Sequence, residues 1–238
     1  MRAFHRYGKR HLFKIILGSS MMLAFVTLFM VSNSGSIEIF YDIPFMKVDS
    51  ANPLIIVITP TYRRPTRLAD LTRMANTLQQ VPDLYWIVVE DATEKVKLVE
   101  RILIRTRLPY TYFPVKTIPG YPKRGWYQRT EALTFLRNET QLILNGRNKG
   151  VVYFGDDDNS YDIRLFTEYI RNVKKLGLWA VGMVGGAPVE SLNVVNGSVV
   201  GFKVKWNPKR KFAVDMAGFA VHLDIVLNSK LIYIYIYI

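Results

Sequence analysis

The chain has 238 residues, half of them hydrophobic, no cysteine, and a formal net charge of +13. That length holds one catalytic-sized domain with an appendage, the apolar content excludes a disordered chain, and the missing cysteines leave the fold to rely on its core. Arg2, Arg6, Lys9, Arg10 and Lys14 concentrate much of the positive charge in an acid-free opening, and no nucleic-acid-binding module is recognised, so no nucleic-acid partner is expected.

The basic opening abuts an apolar run over residues 15–31, interrupted by Gly18, Ser19, Ser20 and Thr27, near the lower limit for a membrane-crossing helix. Positive charge on its N-terminal flank predicts a cytosolic tail at 1–14, a signal-anchor at 15–31, and single-pass type II topology with the rest of the chain on the far side. A cleaved signal peptide competes, because residues 32–36 are small and polar, although the apolar run exceeds an ordinary signal core. Residues 32–52 read as a stem. Two N-glycosylation patterns, Asn138-Glu139-Thr140 and Asn196-Gly197-Ser198, agree with lumenal exposure of the chain beyond the stem.

A domain is expected over 53–228. It opens on Leu54-Ile55-Ile56-Val57-Ile58, a β-branched run that predicts a strand buried on both faces, ended by Thr59-Pro60-Thr61. Leu68, Leu71, Met74 or Ala75, and Leu78 recur at helical spacing. Trp86-Ile87-Val88-Val89 predicts a second strand stopping at Glu90-Asp91, and Val151-Val152-Tyr153-Phe154 one more, stopping at Gly155-Asp156-Asp157-Asp158. Thr130 to Arg137 reads as helix. Asp162 caps another, whose Leu165, Phe166, Tyr169, Ile170 and Val173 form one apolar stripe ending at Lys174, Lys175 and Gly177. This alternation predicts an α/β fold, a mostly parallel sheet with helices on both faces, and places Pro60 to Tyr62, Asp91 and the aspartates at its ligand-binding carboxyl edge.

Three adjacent carboxylates repel one another unless positive charge lies among them, and a hard divalent cation shared with substrate phosphates meets that need. A calcium loop does not, because Tyr161 stands where its turn requires glycine and Thr167 where it requires glutamate. The plain alternative is an acidic surface turn with Asp162 capping the next helix. Around the same edge, Tyr62 offers a ring for base stacking, Asp91 accepts from a base N–H or a ribose hydroxyl, and Arg124 and Arg129 suit phosphate oxygens.

Four motifs in order, Ile58 to Arg63, Val88 to Ala92, Tyr153 to Asn159, and Asp215-Met216-Ala217-Gly218-Phe219-Ala220-Val221, resemble the β-1,3-glucuronosyltransferases, glycosyltransferase family 43. The resemblance implies a GT-A-like nucleotide-diphospho-sugar fold in a Golgi membrane protein. It further implies inverting, Mn²⁺-dependent transfer of glucuronic acid from UDP-glucuronate to a terminal galactose of a proteoglycan linkage region or glycoprotein glycan. By motif position it puts Pro60, Tyr62, Asp91, Arg124, Arg129, Asp156 and Asp157 on the donor, Asp158 on the metal, and Glu190, Trp206, Arg210 and Asp215 on the acceptor. For Trp206 the rival reading is packing beside Phe202 and Phe212. The resemblance also implies a homodimer.

In the resemblance the catalytic base is a glutamate about one helix and loop beyond the Asp-Met-Ala-Gly-Phe motif, which this sequence does not reach, so no catalytic residue is assigned. From 229 to 238 the residues pass into alternating Tyr and Ile unlike the family, with high β-propensity and no charge after Lys230. An inactive, membrane-anchored variant that binds UDP-sugar or a partner transferase is therefore the alternative expectation.

Overall fold

The computed structural model describes residues 51–229. The basic tail, the anchor, all but the end of the stem and all but the start of the Ile/Tyr tail lie outside them. Among the described residues no helix is long and apolar enough to cross a membrane.

β1 (Leu54–Thr61) is followed by α1 (Arg67–Leu78), β2 (Leu84–Glu90), α2 (Lys97–Thr106) and β3 (Tyr110–Pro114). Then come α3 (Trp126–Asn138), α4 (Thr140–Leu144) and β4 (Gly150–Phe154). After short strands β5 (Leu176–Leu178) and β6 (Val181–Val184), the chain forms β7 (Ala187–Val195), β8 (Ser198–Lys203), β9 (Phe219–His222) and α5 (Leu223–Asn228). The main sheet has the order β3-β2-β1-β4-β9-β5. β1 pairs in parallel with β2 and β4, β2 with β3, and β9 runs antiparallel between β4 and β5.

Period-two alternation sends each strand's side chains into two separate cores. Ile55, Val57, Trp86, Val88, Val151 and Tyr153 pack under α1 and α2, against Leu71, Met74, Leu78, Val99 and Leu103. Ile56, Ile58, Ile87, Val89, Val152 and Phe154 meet Ala132, Leu133, Leu136 and Leu223 from α3 and α5 on the other face. Helices on both faces explain why these strands read as unbroken apolar runs. The chain steps outward from β1 through β2 to β3 and returns to β4 on the far side of β1. That reversal opens a crevice at the carboxyl ends of β1 and β4.

Three elements differ from the sequence reading. The helix expected from Thr130 begins at Trp126, because Arg124 and Gly125 turn through the left-handed region just before it. Asp162 does accept the Arg164 backbone N–H at 2.9 Å, but the segment beyond is a π turn, Leu165–Tyr169, followed by a 3-10 turn, Ile170–Asn172. The wider turn rotates Tyr169 out to solvent while Phe166 and Ile170 stay buried, and Gly177 lies inside β5 rather than ending a helix. α2 and β3 were missing from the sequence reading, although Val99, Ile102, Leu103 and Thr106 recur at helical spacing and form the buried face of α2.

The Asp215–Phe219 motif opens on a 3-10 turn, Met216–Gly218, fixed by hydrogen bonds. Asp215 accepts the Ala217 N–H at 2.9 Å, and the Ala217 carbonyl accepts from the Tyr153 hydroxyl at 3.2 Å and the Trp179 indole at 2.8 Å. A Cβ at Gly218 would lie 2.7 Å from Val214 Cγ1, so the tight approach requires glycine.

Candidate active site

The ends of β1, β2 and β4 are tied together by backbone hydrogen bonds. Asp91 N–H donates to the Thr61 carbonyl at 2.8 Å, and Gly155 N–H to the Ile58 carbonyl at 3.0 Å. Beneath them Glu90, only 1 % exposed, accepts from Arg67 at 2.5 Å and from the Tyr112 hydroxyl at 2.8 Å. A buried carboxylate with two such donors fixes where β2 stops and therefore where Asp91 begins.

The positive charge expected among the aspartates is largely arginine. Arg129 pairs with Asp156, and Arg64 donates to Asp157 at 3.0 Å, beside the Thr61 hydroxyl at 2.7 Å. Burial holds the Asp157 carboxyl above the usual carboxylate range despite these donors. Asp158 differs: it is exposed, its carboxylate has no hydrogen-bond or ion-pair partner among the described residues, and only its backbone carbonyl is held, by Arg73 at 2.8 Å. Among the described residues no cluster of three or more acidic or histidine side chains could hold a metal by itself. A cation here has one free carboxylate to bind, the pattern for a hard ion whose remaining ligands come from phosphate and water.

A cavity of about 790 Å³ lies over this edge, bounded by Pro60, Tyr62, Asp91, Arg124, Arg129 and all three aspartates. The volume suits a ligand of nucleotide-sugar size. Tyr62 is 54 % exposed, with the Arg64 guanidinium 5.3 Å from its ring centroid. Asp91 accepts the backbone N–H and the hydroxyl of Thr117, both at 2.9 Å, with Lys116 Nζ at 3.4 Å. Partial burial raises the Asp91 carboxyl, but those two donors and the lysine outweigh it and leave it below the ordinary range.

The opposite wall is the start of α3. A Cβ at Gly125 would lie 2.7 Å from Pro60 Cβ and 3.0 Å from the Arg129 guanidinium, so only glycine lets the helix approach β1 this closely. Arg129 also donates to the Arg124 carbonyl at 2.8 Å, so one buried guanidinium joins that turn to Asp156.

A second cavity, about 280 Å³, shares Arg124, Arg129 and Asp156 with the first and continues to Glu190, Trp206, Arg210 and Asp215. Glu190 comes from β7, in the small antiparallel sheet β6-β7-β8. It is buried, and its Oε1 has no hydrogen-bond partner. Trp206 is 43 % exposed and stacks under the Arg210 guanidinium at 4.5 Å, while Phe202 and Phe212 pack on each other. Burial pushes the Asp215 carboxyl up, and the charges of Asp156 and Glu190 push the same way.

Every donor-side and acceptor-side residue named from the sequence lines one of these two adjoining cavities. The sequence reading missed Thr61, Arg64, Arg73, Thr117 and Gln128, which orient those residues. A signal existed for Gln128: it lies four and eight positions before Ala132 and Leu136, continuing their buried stripe with a polar side chain. Both glycosylation-pattern asparagines are exposed, Asn196 in the two-residue turn between β7 and β8 and Asn138 at the end of α3, where the pattern's Thr140 is buried and its hydroxyl donates to the Leu136 carbonyl at 2.5 Å.

The model of Glycosyltransferase family 43 matches residues 74–236. The chain is 46% identical over 182 residues to "Galactosylgalactosylxylosylprotein 3-beta-glucuronosyltransferase 2" of Homo sapiens, covering 74% of this chain and 55% of that one. It is 46% identical over 192 residues to "Galactosylgalactosylxylosylprotein 3-beta-glucuronosyltransferase 1" of Rattus norvegicus, covering 76% and 57%. With "Galactosylgalactosylxylosylprotein 3-beta-glucuronosyltransferase sqv-8" of Caenorhabditis elegans it shares 43% identity over 195 residues, covering 77% and 53%. The chain spans about half the length of the curated relatives it matches.

Proposed function

The chain belongs to glycosyltransferase family 43, and from that premise we propose that it transfers glucuronic acid from UDP-glucuronate to a terminal galactose of a glycan, with inversion. The observation that carries this reading is that the two cavities adjoin, with Arg124, Arg129 and Asp156 lining both. One has the aromatic ring, acceptor carboxylate and guanidinium groups of a nucleotide site; the other has an exposed indole beside carboxylates, which suits the apolar face and the hydroxyls of a sugar.

In this reading Tyr62 stacks on uracil and Asp91 accepts a base N–H or a ribose hydroxyl. Asp156 and Asp157, each held by its own arginine, present to ribose and to the glucuronate ring. Mn²⁺, when bound, neutralises charge on the diphosphate, and Asp158 is the residue that would hold it. Arg124 and Arg129 lie where the cavities adjoin and stabilise negative charge on the departing UDP. Glu190, Arg210 and Asp215 bind galactose hydroxyls over Trp206, orienting the attacking oxygen. The same proposal carries a Golgi membrane protein anchored through residues 15–31, a lumenal domain glycosylated at Asn138 and Asn196, and a homodimer.

Transfer from UDP-glucuronate to a β-galactosyl acceptor with Mn²⁺ tests the reading, with UDP binding followed in parallel by calorimetry. Asp158→Ala is expected to abolish metal-dependent UDP binding and turnover, and Trp206→Ala to raise the acceptor KM with UDP affinity unchanged. Metal-dependent UDP binding without turnover would support the donor-binding, inactive alternative. Absence of UDP binding to the wild-type chain would remove both.

A further inference from the structure

The Thr117 hydroxyl is the middle of a directed hydrogen-bond chain. Gln128 is 1 % exposed, and its Nε2 donates to the Val115 carbonyl at 2.9 Å and reaches Thr117 Oγ1 at 3.0 Å. A carbonyl cannot donate, so the Val115 contact identifies that atom of Gln128 as the amide nitrogen. Thr117 Oγ1 therefore accepts from Gln128, and its own proton goes to Asp91 Oδ2 at 2.9 Å, while its backbone N–H goes to Oδ1. Each link has one direction only, and the chain ends on a carboxylate that has two donors and stays ionised.

An ionised carboxylate accepts hydrogen bonds and cannot give one. Uracil carries N–H at ring position 3, whereas cytosine carries a bare acceptor nitrogen there. We propose that Gln128 and Thr117 are positioning residues for nucleobase selection, holding Asp91 as a fixed acceptor that admits a uracil-type base and rejects a cytosine-type base. The proposal rests on the donor-site reading above and deepens it, since the base faces Asp91 only if the large cavity binds the nucleotide. Discrimination of this kind arises because an acceptor facing an acceptor leaves both desolvated and unpaired.

With the Thr117 hydroxyl removed, Asp91 loses one of the bonds that favour its charged form and becomes free to rotate or to take up a proton and donate it to cytosine. A group that only supports the loop would weaken both nucleotides together. The selective prediction is therefore a change in their ratio.

The experiment is calorimetric titration of the full chain with UDP and with CDP, each with Mn²⁺, for wild type, Thr117→Val, Thr117→Ser and Gln128→Leu. Wild type is expected to prefer UDP. Thr117→Val should reduce the UDP-to-CDP affinity ratio about tenfold, the worth of one hydrogen bond to a charged group. Thr117→Ser should restore the ratio, and Gln128→Leu should lower it by a smaller factor. A ratio unchanged in both Thr117→Val and Gln128→Leu, or a wild type that binds the two nucleotides equally, overturns the proposal while leaving the donor site standing. A wild type that binds neither nucleotide overturns the donor-site reading itself.

Discussion

The carboxyl edge of the parallel strands lines the larger cavity and the region around the small β6-β7-β8 sheet the smaller one, and the two hold their carboxylates differently. At the strand edge Asp91, Asp156 and Asp157 all have partners from elsewhere in the chain, and Glu90 beneath them has two. Across the cavity, Glu190 has a buried oxygen with no partner, Asp215 faces two other carboxylates, and Arg210 is committed to the face of Trp206. Gln128 Oε1 and Arg129 Nε, on the strand side, are buried without a hydrogen-bond partner as well, so the contrast lies in the carboxylates. Those of the strand edge are held by cationic or hydroxyl donors, and Glu190 Oε1 is not.

Breaking the paired side should have the largest effect. Arg67→Met leaves Glu90 buried with one donor fewer and no counter-charge, which costs about 3–5 kcal/mol. Chemical denaturation measures it, and a loss below about 1 kcal/mol would mean that the buried pair does not hold the edge.

Two glycine substitutions sharpen the contrast further. Gly125→Ala meets both a left-handed φ of +77° and Pro60 at 2.7 Å, and is expected to cost about 2–4 kcal/mol and to weaken UDP binding. Gly197→Ala at the hairpin tip has φ +75° but open space around it, so strain alone should cost about 1 kcal/mol and UDP affinity should not move. Thermal unfolding with and without UDP separates the two, and equal costs would show that helix and strand yield to one another.

The smallest effect concerns Asp215. Its folded-state carboxyl titrates above the ordinary range, so its contribution to stability is fully present below the unfolded value and is lost as pH rises through the raised one. Asp215→Asn keeps an acceptor for the Ala217 N–H but cannot ionise. The variant should gain in Tm over wild type as pH rises from about 4 towards 7. Asp91, depressed in the fold, has the opposite sign: its contribution is lost as pH falls through its lowered value. A variant whose Tm difference is flat with pH would show that Asp215 is not held in the unfavourable field inferred for it.

Much of the paired side was legible in the residues. β1, β2 and β4 are continuous apolar runs because both faces are buried, and each run stops where polar residues begin, which puts Asp91 and Asp156 at the sheet edge by arithmetic alone. β6 to β8 were not legible as a sheet. Exposed Val194, Val195, Val199 and Val200 break the inside-outside alternation that would have announced their strands. The π turn after Arg164 was misread for a related reason, since a sequence stripe drawn at α spacing cannot show that one turn is wider.

The sequence by itself determined the parallel strands, the edge on which the aspartates stand, and the motifs that carry the family, because periodicity and turn chemistry are local properties of the chain. Only the tertiary structure decided which charge answers which. Arg64 reaches Asp157 across 93 positions and Arg129 reaches Asp156 across 27, leaving Asp158 as the one free carboxylate of the three. Coulombic and hydrogen-bonding partners are chosen by distance in space, and no spacing along a chain encodes that distance until the strands are in register.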